Sequence, residues 1–334
     1  MPAVSPSGLV NAVLDAIQQS GGAGMYVSKS DQQHPREFLV EHLNDSFSLW
    51  IYIWTLTHGG RSSLPEEYRI QMTSVTSPLQ MNPSGYTVLL GYYPDLGMFA
   101  GFDIKRHQTF TSGSPSVQIG MQAIHDALQH GLAFSTKTNL EIAVGVRSDQ
   151  FLNYVRSAHN LHKYGKNAQV LYLLQKAVHA KVKQQDIADL AKQRQTMIAS
   201  VSRYLRDAGF RQQVLDAYQH RCAVTRAQLR LVDAAHILPV PSEKSSDYVT
   251  NGIALSPTIH RAFDSGLIYL DEDYHMHLNK EKVKALTHDN LHAGLSAMEK
   301  QLLGTVHLPA NKQQWPNPKY IAEANKYRRI PGYF

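Results

Sequence analysis

Asp233-Ala-Ala-His236-Ile-Leu-Pro239, Asn251-Gly252-Ile-Ala-Leu255 and His260-Arg-Ala-Phe-Asp264-Ser-Gly266 are three short runs within a stretch from Phe210 to Leu270. Fourteen residues lie between His236 and Asn251, and eight between Asn251 and His260. Leu231 to Leu238 is rich in apolar residues and stops at Pro239, which lacks a donor and ends ladders, so it reads as a strand with His236 near its end. The polar run 241–250 reads as an exposed loop. Asn251-Gly252 is a turn dipeptide, and Ile253-Ala-Leu255 a short apolar strand. Ser256-Pro257 supplies a helix start, with Ser as N-cap and Pro at the first helical position. His260 and Asp264, four apart, share one face of that helix, and Gly266 stops it. The order is strand, loop, strand, helix.

These runs resemble the HNH endonuclease family, whose His, Asn and His lie on a small ββα unit around one divalent metal. Phosphodiester hydrolysis needs an activated water, charge stabilisation on the phosphate and help for the leaving oxygen. A neutral imidazole takes a proton from water near neutral pH. The resemblance implies that His236 is the general base and His260 a metal ligand. It implies that Asn251 orients the loop bearing the base or contributes to the metal shell. Many family members carry His or Asp directly before the general base, where this chain has Ala235. Asp233, two residues earlier on the same strand face, substitutes directly or through water. Asp264 is a third ligand or the partner of one. The expected metal is Mg²⁺ or Mn²⁺, one ion per site, with Zn²⁺ also compatible. Arg261 is expected on the phosphate.

The rest of the chain limits the alternatives. At 334 residues, 43% of them hydrophobic and 18% charged, it has room for two domains of ordinary soluble type. No run of 18 apolar residues implies a membrane span, and no signal peptide is evident at the start. The single cysteine, Cys222, forbids an intrachain disulfide and suits a reducing, cytoplasmic setting. Many HNH proteins also hold a structural zinc with two Cys-x-x-Cys pairs. Cys222-Ala-Val-Thr225 keeps one position of the first pair, which excludes a four-cysteine site and leaves Cys222 as a small buried residue. A net charge of +6 favours a polyanionic partner, here double-stranded DNA.

Toward the N-terminus, Leu9, Val13, Ala16 and Ile17 recur at helical spacing. Alternating or apolar runs at 47–57, 68–72, 86–92, 98–104 and 140–146 predict strands, and Asp95-Leu96-Gly97 a hairpin turn. The span 118–130 predicts a helix. Lys105 and Arg106, followed by the polar run 112–116, are candidate contacts to the DNA backbone. Asp103 and Glu141 lack the lysine that an Asp…Glu-x-Lys nuclease would need. This region is loosely similar to those found ahead of HNH domains in restriction endonucleases, which implies reading of sequence or base modification. On that reading Trp50, Trp54, Tyr92 and Tyr93 are candidates for stacking on a flipped base. From Phe151 to Gly209 the pattern is helical, with Lys192 and Arg194 on a basic track. His275 and His277 read as surface residues of an edge strand.

The expected class is α+β: an N-terminal mixed α/β-sheet domain with a mostly antiparallel sheet (1–150), a helical connector (151–209) and a C-terminal ββα-metal HNH nuclease domain with an extension (210–334). The expected protein is an endodeoxyribonuclease of restriction type, acting as a homodimer, beside a DNA methyltransferase. Two alternatives stay open: a toxin-like nuclease of low specificity on DNA or RNA, and a degenerate HNH scaffold that only binds DNA, for which Ala235 speaks.

Overall fold

The computed structural model describes every residue except 1, 2, 29, 44, 112, 137–140, 180, 230, 303 and 334, and the backbone alone at 184. The chain divides into two units, 1–208 and 209–334.

The first unit runs α1 (Pro6–Gln19), β1 (Ala23–Tyr26), β2 (Arg36–His42), β3 (Asp45–Thr55), β4 (Thr57–His58), β5 (Glu67–Gln71), β6 (Tyr86–Tyr93), β7 (Met98–Phe102), β8 (Ser116–Gly120), α2 (Met121–His130), β9 (Leu132–Thr136) and β10 (Ile142–Val146). Helices α3 (Phe151–Tyr164), α4 (Ala168–Val178), α5 (Gln184–Ile187) and α6 (Lys192–Ala217) follow, and α6 carries the chain past residue 208. Seven strands form one sheet in the order β1-β2-β3-β6-β7-β10-β9, and β4-β5-β8 form a second. Within the large sheet β3 and β6 are parallel and the other pairs antiparallel.

Period-two alternation gives the large sheet two apolar faces. Leu49, Ile51, Ile53, Val88, Leu90 and Val144 share one core with residues of α1, α3, α4 and α6. Tyr52, Leu89, Ala100, Phe102 and Ala143 share another with β5, β8 and α2. The helices expected as a connector therefore bury their apolar stripes in the sheet's own core, and the compact units number two. The helix expected from 118 begins at Met121, because Ser116–Gly120 pairs with β5 as an edge strand. Leu140, expected in a strand, and Ser112, in the expected basic run, lie outside the described residues.

In the second unit the strands are β11 (Asp233–His236), β12 (Gly252–Leu255), β13 (Ile268–Leu270) and β14 (Met276–Leu278). Its helices are α7 (Pro257–Asp264), α8 (Lys280–His288), α9 (Leu295–Glu299) and α10 (Pro318–Tyr327). Antiparallel β11 and β12 pair Asp233 with Leu255 and His236 with Gly252. Pro257 opens α7 in its first turn, and Gly266, at φ 70°, leaves it in a left-handed conformation that suits glycine. Phe263, Ile259, Leu255, Ile253 and the wholly buried Cys222 fill the core of this unit.

Candidate active site

His236 ends β11 with its side chain 18% exposed. Its ring lies flat on Phe210, centroids 3.7 Å apart and planes within 11°. Its Nε2 is 3.1 Å from a carboxylate oxygen of Asp247. Nδ1 has no hydrogen-bond partner among the described residues.

Asn251 is fully buried and acts as a clamp. Its Oδ1 accepts from the Leu238 backbone nitrogen at 2.8 Å. Its Nδ2 faces the carbonyls of Leu238 at 3.2 Å and Ser246 at 2.9 Å, and the Ser245 hydroxyl at 3.3 Å. Its own carbonyl accepts from Ile237 N at 2.8 Å. Of the two roles expected for Asn251, this geometry favours holding the loop that follows His236: every side-chain polar atom is already spent on that loop.

His260 projects from α7 between two carboxylates. Nδ1 is 3.4 Å from Asp233 and Nε2 is 3.2 Å from Asp264, its neighbour one turn on. Hydrogen bonds to Asp233 and then Asp264 outweigh burial and raise the imidazole to about 9. Asp233 is held below the usual carboxylate range by His260, with Arg211 adding to the effect 3.7 Å away. Burial pushes Asp264 up, yet His260 and Arg328 together leave it below that range. Among the described residues no three His, Cys, Asp or Glu side chains stand in a metal-ready arrangement; the His260 ring lies between the two carboxylates. The donor chemistry nevertheless fits a divalent ion: two carboxylates and one imidazole, which can ligate once it has given up a proton.

Three side chains that sequence reading missed complete the surroundings. Asp247 comes from the loop and Phe210 from the end of α6. Arg328, just after α10, is 5% exposed; it donates to the Ile237 carbonyl at 2.7 Å, lies 4.4 Å over Phe263 and approaches Asp264 at 3.7 Å. Arg261 is exposed. His275 and His277 both turn to Asp271, at 3.6 and 2.6 Å.

The remaining candidates belong to the first unit. Lys105 is exposed, whereas Arg106 and His107 face the buried Glu141 at 3.5 and 2.5 Å. Lys166 pairs with Asp103 at 2.9 Å. Lys192 is exposed, and Arg194 sits 5.8 Å from the Tyr164 ring. Trp50, Trp54, Tyr92 and Tyr93 are half-buried; Trp54 stacks on His34 at 4.3 Å.

A histidine at a strand end, a clamping asparagine and a histidine on the following helix define a ββα nuclease unit. The comparisons agree: residues 222–271 match the family model described as HNH endonuclease. The chain thus carries an HNH endonuclease domain and is a hydrolase. Residues 47–155 match the model described as methylase-associated X1. No curated protein matches significantly. One matching solved structure is described as a modification dependent TagI restriction endonuclease; it is 13% identical over 85% of this chain and 82% of that one, with a TM-score of 0.29. That superposition is too loose to support a functional inference. No helix among the described residues is long and apolar enough to cross a membrane.

Proposed function

We propose that the chain is a metal-dependent endonuclease of double-stranded DNA that serves a restriction system beside a DNA methyltransferase. The observation that carries the reading is His236: one edge of its ring is hydrogen-bonded, its Nδ1 has no hydrogen-bond partner among the described residues, and the loop that follows it is clamped by Asn251. A divalent ion, Mg²⁺ or Mn²⁺ with Zn²⁺ compatible, would be held by His260 with Asp233 and Asp264. When bound, it supplies positive charge to the phosphate and to the departing oxygen.

His236 takes a proton from water at Nδ1 as the water oxygen adds to phosphorus in line. The bond from phosphorus to the 3′ oxygen breaks, and that oxygen takes a proton from solvent, leaving 5′-phosphate and 3′-hydroxyl ends. Arg261, exposed beside His260, contacts the phosphate. Cutting both strands takes two such sites, hence a homodimer.

The methylase-associated match over 47–155 and the net charge of +6 support the restriction reading and DNA as the polyanion. In this reading residues 1–150, with the helices of 151–208 packed into the core of their sheet, recognise sequence or base modification, and 210–334 cut. Lys105, Arg106, Lys192 and Arg194 contact the backbone, and the aromatic group around Trp54 meets a base.

The test is cleavage of two plasmid preparations, one unmodified and one carrying modified cytosines, with Mg²⁺, Mn²⁺ or EDTA, wild type beside His236→Ala. Discrete fragments that need metal and vanish in the variant are expected. A smear that needs His236 would indicate a nuclease without specificity. Binding without cutting would indicate a DNA-binding scaffold.

A further inference from the structure

Phe210 and Asp247 constrain the His236 ring in different ways. The stack on Phe210 fixes the plane of the imidazole but leaves its two flip states alike, since a half-turn about the ring's bond keeps the plane. Only a partner at one edge tells the states apart. Asp247 is that partner, at 3.1 Å from Nε2.

We infer that Asp247 is the positioning residue for His236: its carboxylate accepts the Nε2 proton, fixes Nδ1 as the bare nitrogen and aims it at the attacking water. This rests on reading His236 as the general base. During the reaction the Nε2 proton stays on the ring, and the proton from water arrives at Nδ1.

The loop that presents Asp247 is built for the task. Asn251 Nδ2 holds the Ser246 carbonyl, the residue before Asp247. The Ser246 hydroxyl bonds to the Tyr320 hydroxyl at 2.7 Å, tying the same residue to α10. The Ser245 hydroxyl donates to the Leu238 carbonyl at 2.9 Å, closing the loop on the strand end. A chain of contacts therefore runs from Asn251 through Ser246 and Asp247 to His236. The other charged side chains around this strand are engaged elsewhere. Asp233 faces His260 and Arg211; Arg328 spans Ile237 and Asp264; Lys244 pairs with Glu323 at 2.8 Å. Asp247 is 41% exposed, so its loss should cost the fold little.

The test uses full-length Asp247→Asn and Asp247→Glu. Long-range proton–nitrogen spectra of the imidazoles, with His236 assigned by its absence in His236→Ala, report the tautomer without any need for activity. Wild type is expected to show Nε2–H alone. Asp247→Asn is expected to mix the two tautomers, since its amide can either accept from or donate to the ring edge. On plasmid DNA its kcat should fall roughly 10- to 100-fold with KM unchanged, and Asp247→Glu should recover part of the rate. The same tautomer in wild type and Asp247→Asn would overturn the inference. So would a wild-type kcat in Asp247→Asn. The expected tautomer in a wild type that cuts no better than His236→Ala would keep the pairing and sink the nuclease reading instead.

Discussion

Asn251 and Leu238 exchange two hydrogen bonds. The Leu238 N–H donates to the amide oxygen at 2.8 Å, and the amide nitrogen donates to the Leu238 carbonyl at 3.2 Å. This is the pattern of a short ladder rung made by a side chain, and it holds the chain where it leaves β11. Asn251→Ala strands the Leu238 N–H and the Ser246 carbonyl beside a fully buried position, while the Leu238 carbonyl keeps the Ser245 hydroxyl. The expected loss is roughly 2–4 kcal/mol in the C-terminal unit, since each orphaned group costs about 1–3 kcal/mol. Asn251→Asp keeps the shape but turns a donor into an acceptor opposite two carbonyls, and should do no better. Urea unfolding followed by Trp315 fluorescence in a variant lacking the other two tryptophans would measure it. A cost below about 0.5 kcal/mol for both variants would mean that the clamp is not structural.

Gly252 faces His236 across the β11–β12 pair, and a Cβ there would lie 2.2 Å from Val214 Cγ2 and 3.1 Å from the Phe210 ring. The Phe210 ring is the surface on which His236 stacks. Gly252→Ala should therefore cost about 1–3 kcal/mol through overpacking. It should also disturb the base, so activity should fall further than stability alone explains. Removing the obstruction is the control. In Gly252→Ala/Val214→Ala the two costs should be less than additive, with a coupling of roughly 1 kcal/mol. Additive costs would show that the strain lies elsewhere.

What the sequence revealed about this unit follows from how local its signals are. Pro239, Ser256-Pro257 and Gly266 mark the ends of β11 and α7 by backbone chemistry alone. The i, i+4 relation of His260 and Asp264 is fixed by helical pitch. Asp247 and Arg328 could not be found the same way. One depends on the path of an irregular loop, and the other reaches Ile237 from 91 residues away. In the first unit the strong alternation of β3 was legible, as were β6 and β7. β1 and β2 were not, because β1 is almost wholly exposed and β2 turns Arg36 and His42 to its buried face, which blurs the apolar alternation; the end of β8 falls in the span expected as helix because its partner β5 is distant in sequence. The parallel pairing of β3 with β6 likewise has no local signature. The polar composition of 184–206 hid the stripe formed by Ile187, Met197, Ile198, Val201 and Leu205, which is buried in the sheet's core.

His162 carries the clearest pH dependence of the first unit. It is buried, with Nε2 2.9 Å from the Tyr154 hydroxyl, and burial lowers its imidazole from 6.5 to about 4, although the charges of Asp103 and Glu141 pull the other way. The unfolded chain then binds the proton more readily than the folded one. The stabilisation is complete above pH 6.5 and is lost as pH falls from there to about 4, at roughly 3 kcal/mol over the full range. His34, lowered to about 3 chiefly by burial, acts in the same direction. His162→Gln should flatten, but not abolish, the fall in unfolding temperature of the N-terminal unit between pH 7 and pH 4.5. Calorimetry at those two values checks it, and parallel pH slopes in variant and wild type would sink the assignment.

His260 with its two carboxylates makes a claim that can be checked without any cleavage assay. Protein stripped with EDTA should gain unfolding temperature in the C-terminal unit when Mn²⁺ or Mg²⁺ is added, because a ligand that binds only the folded state stabilises it as RT ln(1 + [L]/Kd). His260→Ala should lose this response. Asp233→Asn and Asp264→Asn should each need roughly 10- to 100-fold more metal for the same gain, since each removes one anionic oxygen donor. The carboxylate variants also separate two roles. If Asp264 is a ligand, Asp264→Asn moves the metal titration. If it only orients His260 and Arg328, the variant shifts the metal-free unfolding temperature and leaves the metal dependence in place. A metal response that survives all three substitutions would put the ion somewhere other than between Asp233 and Asp264.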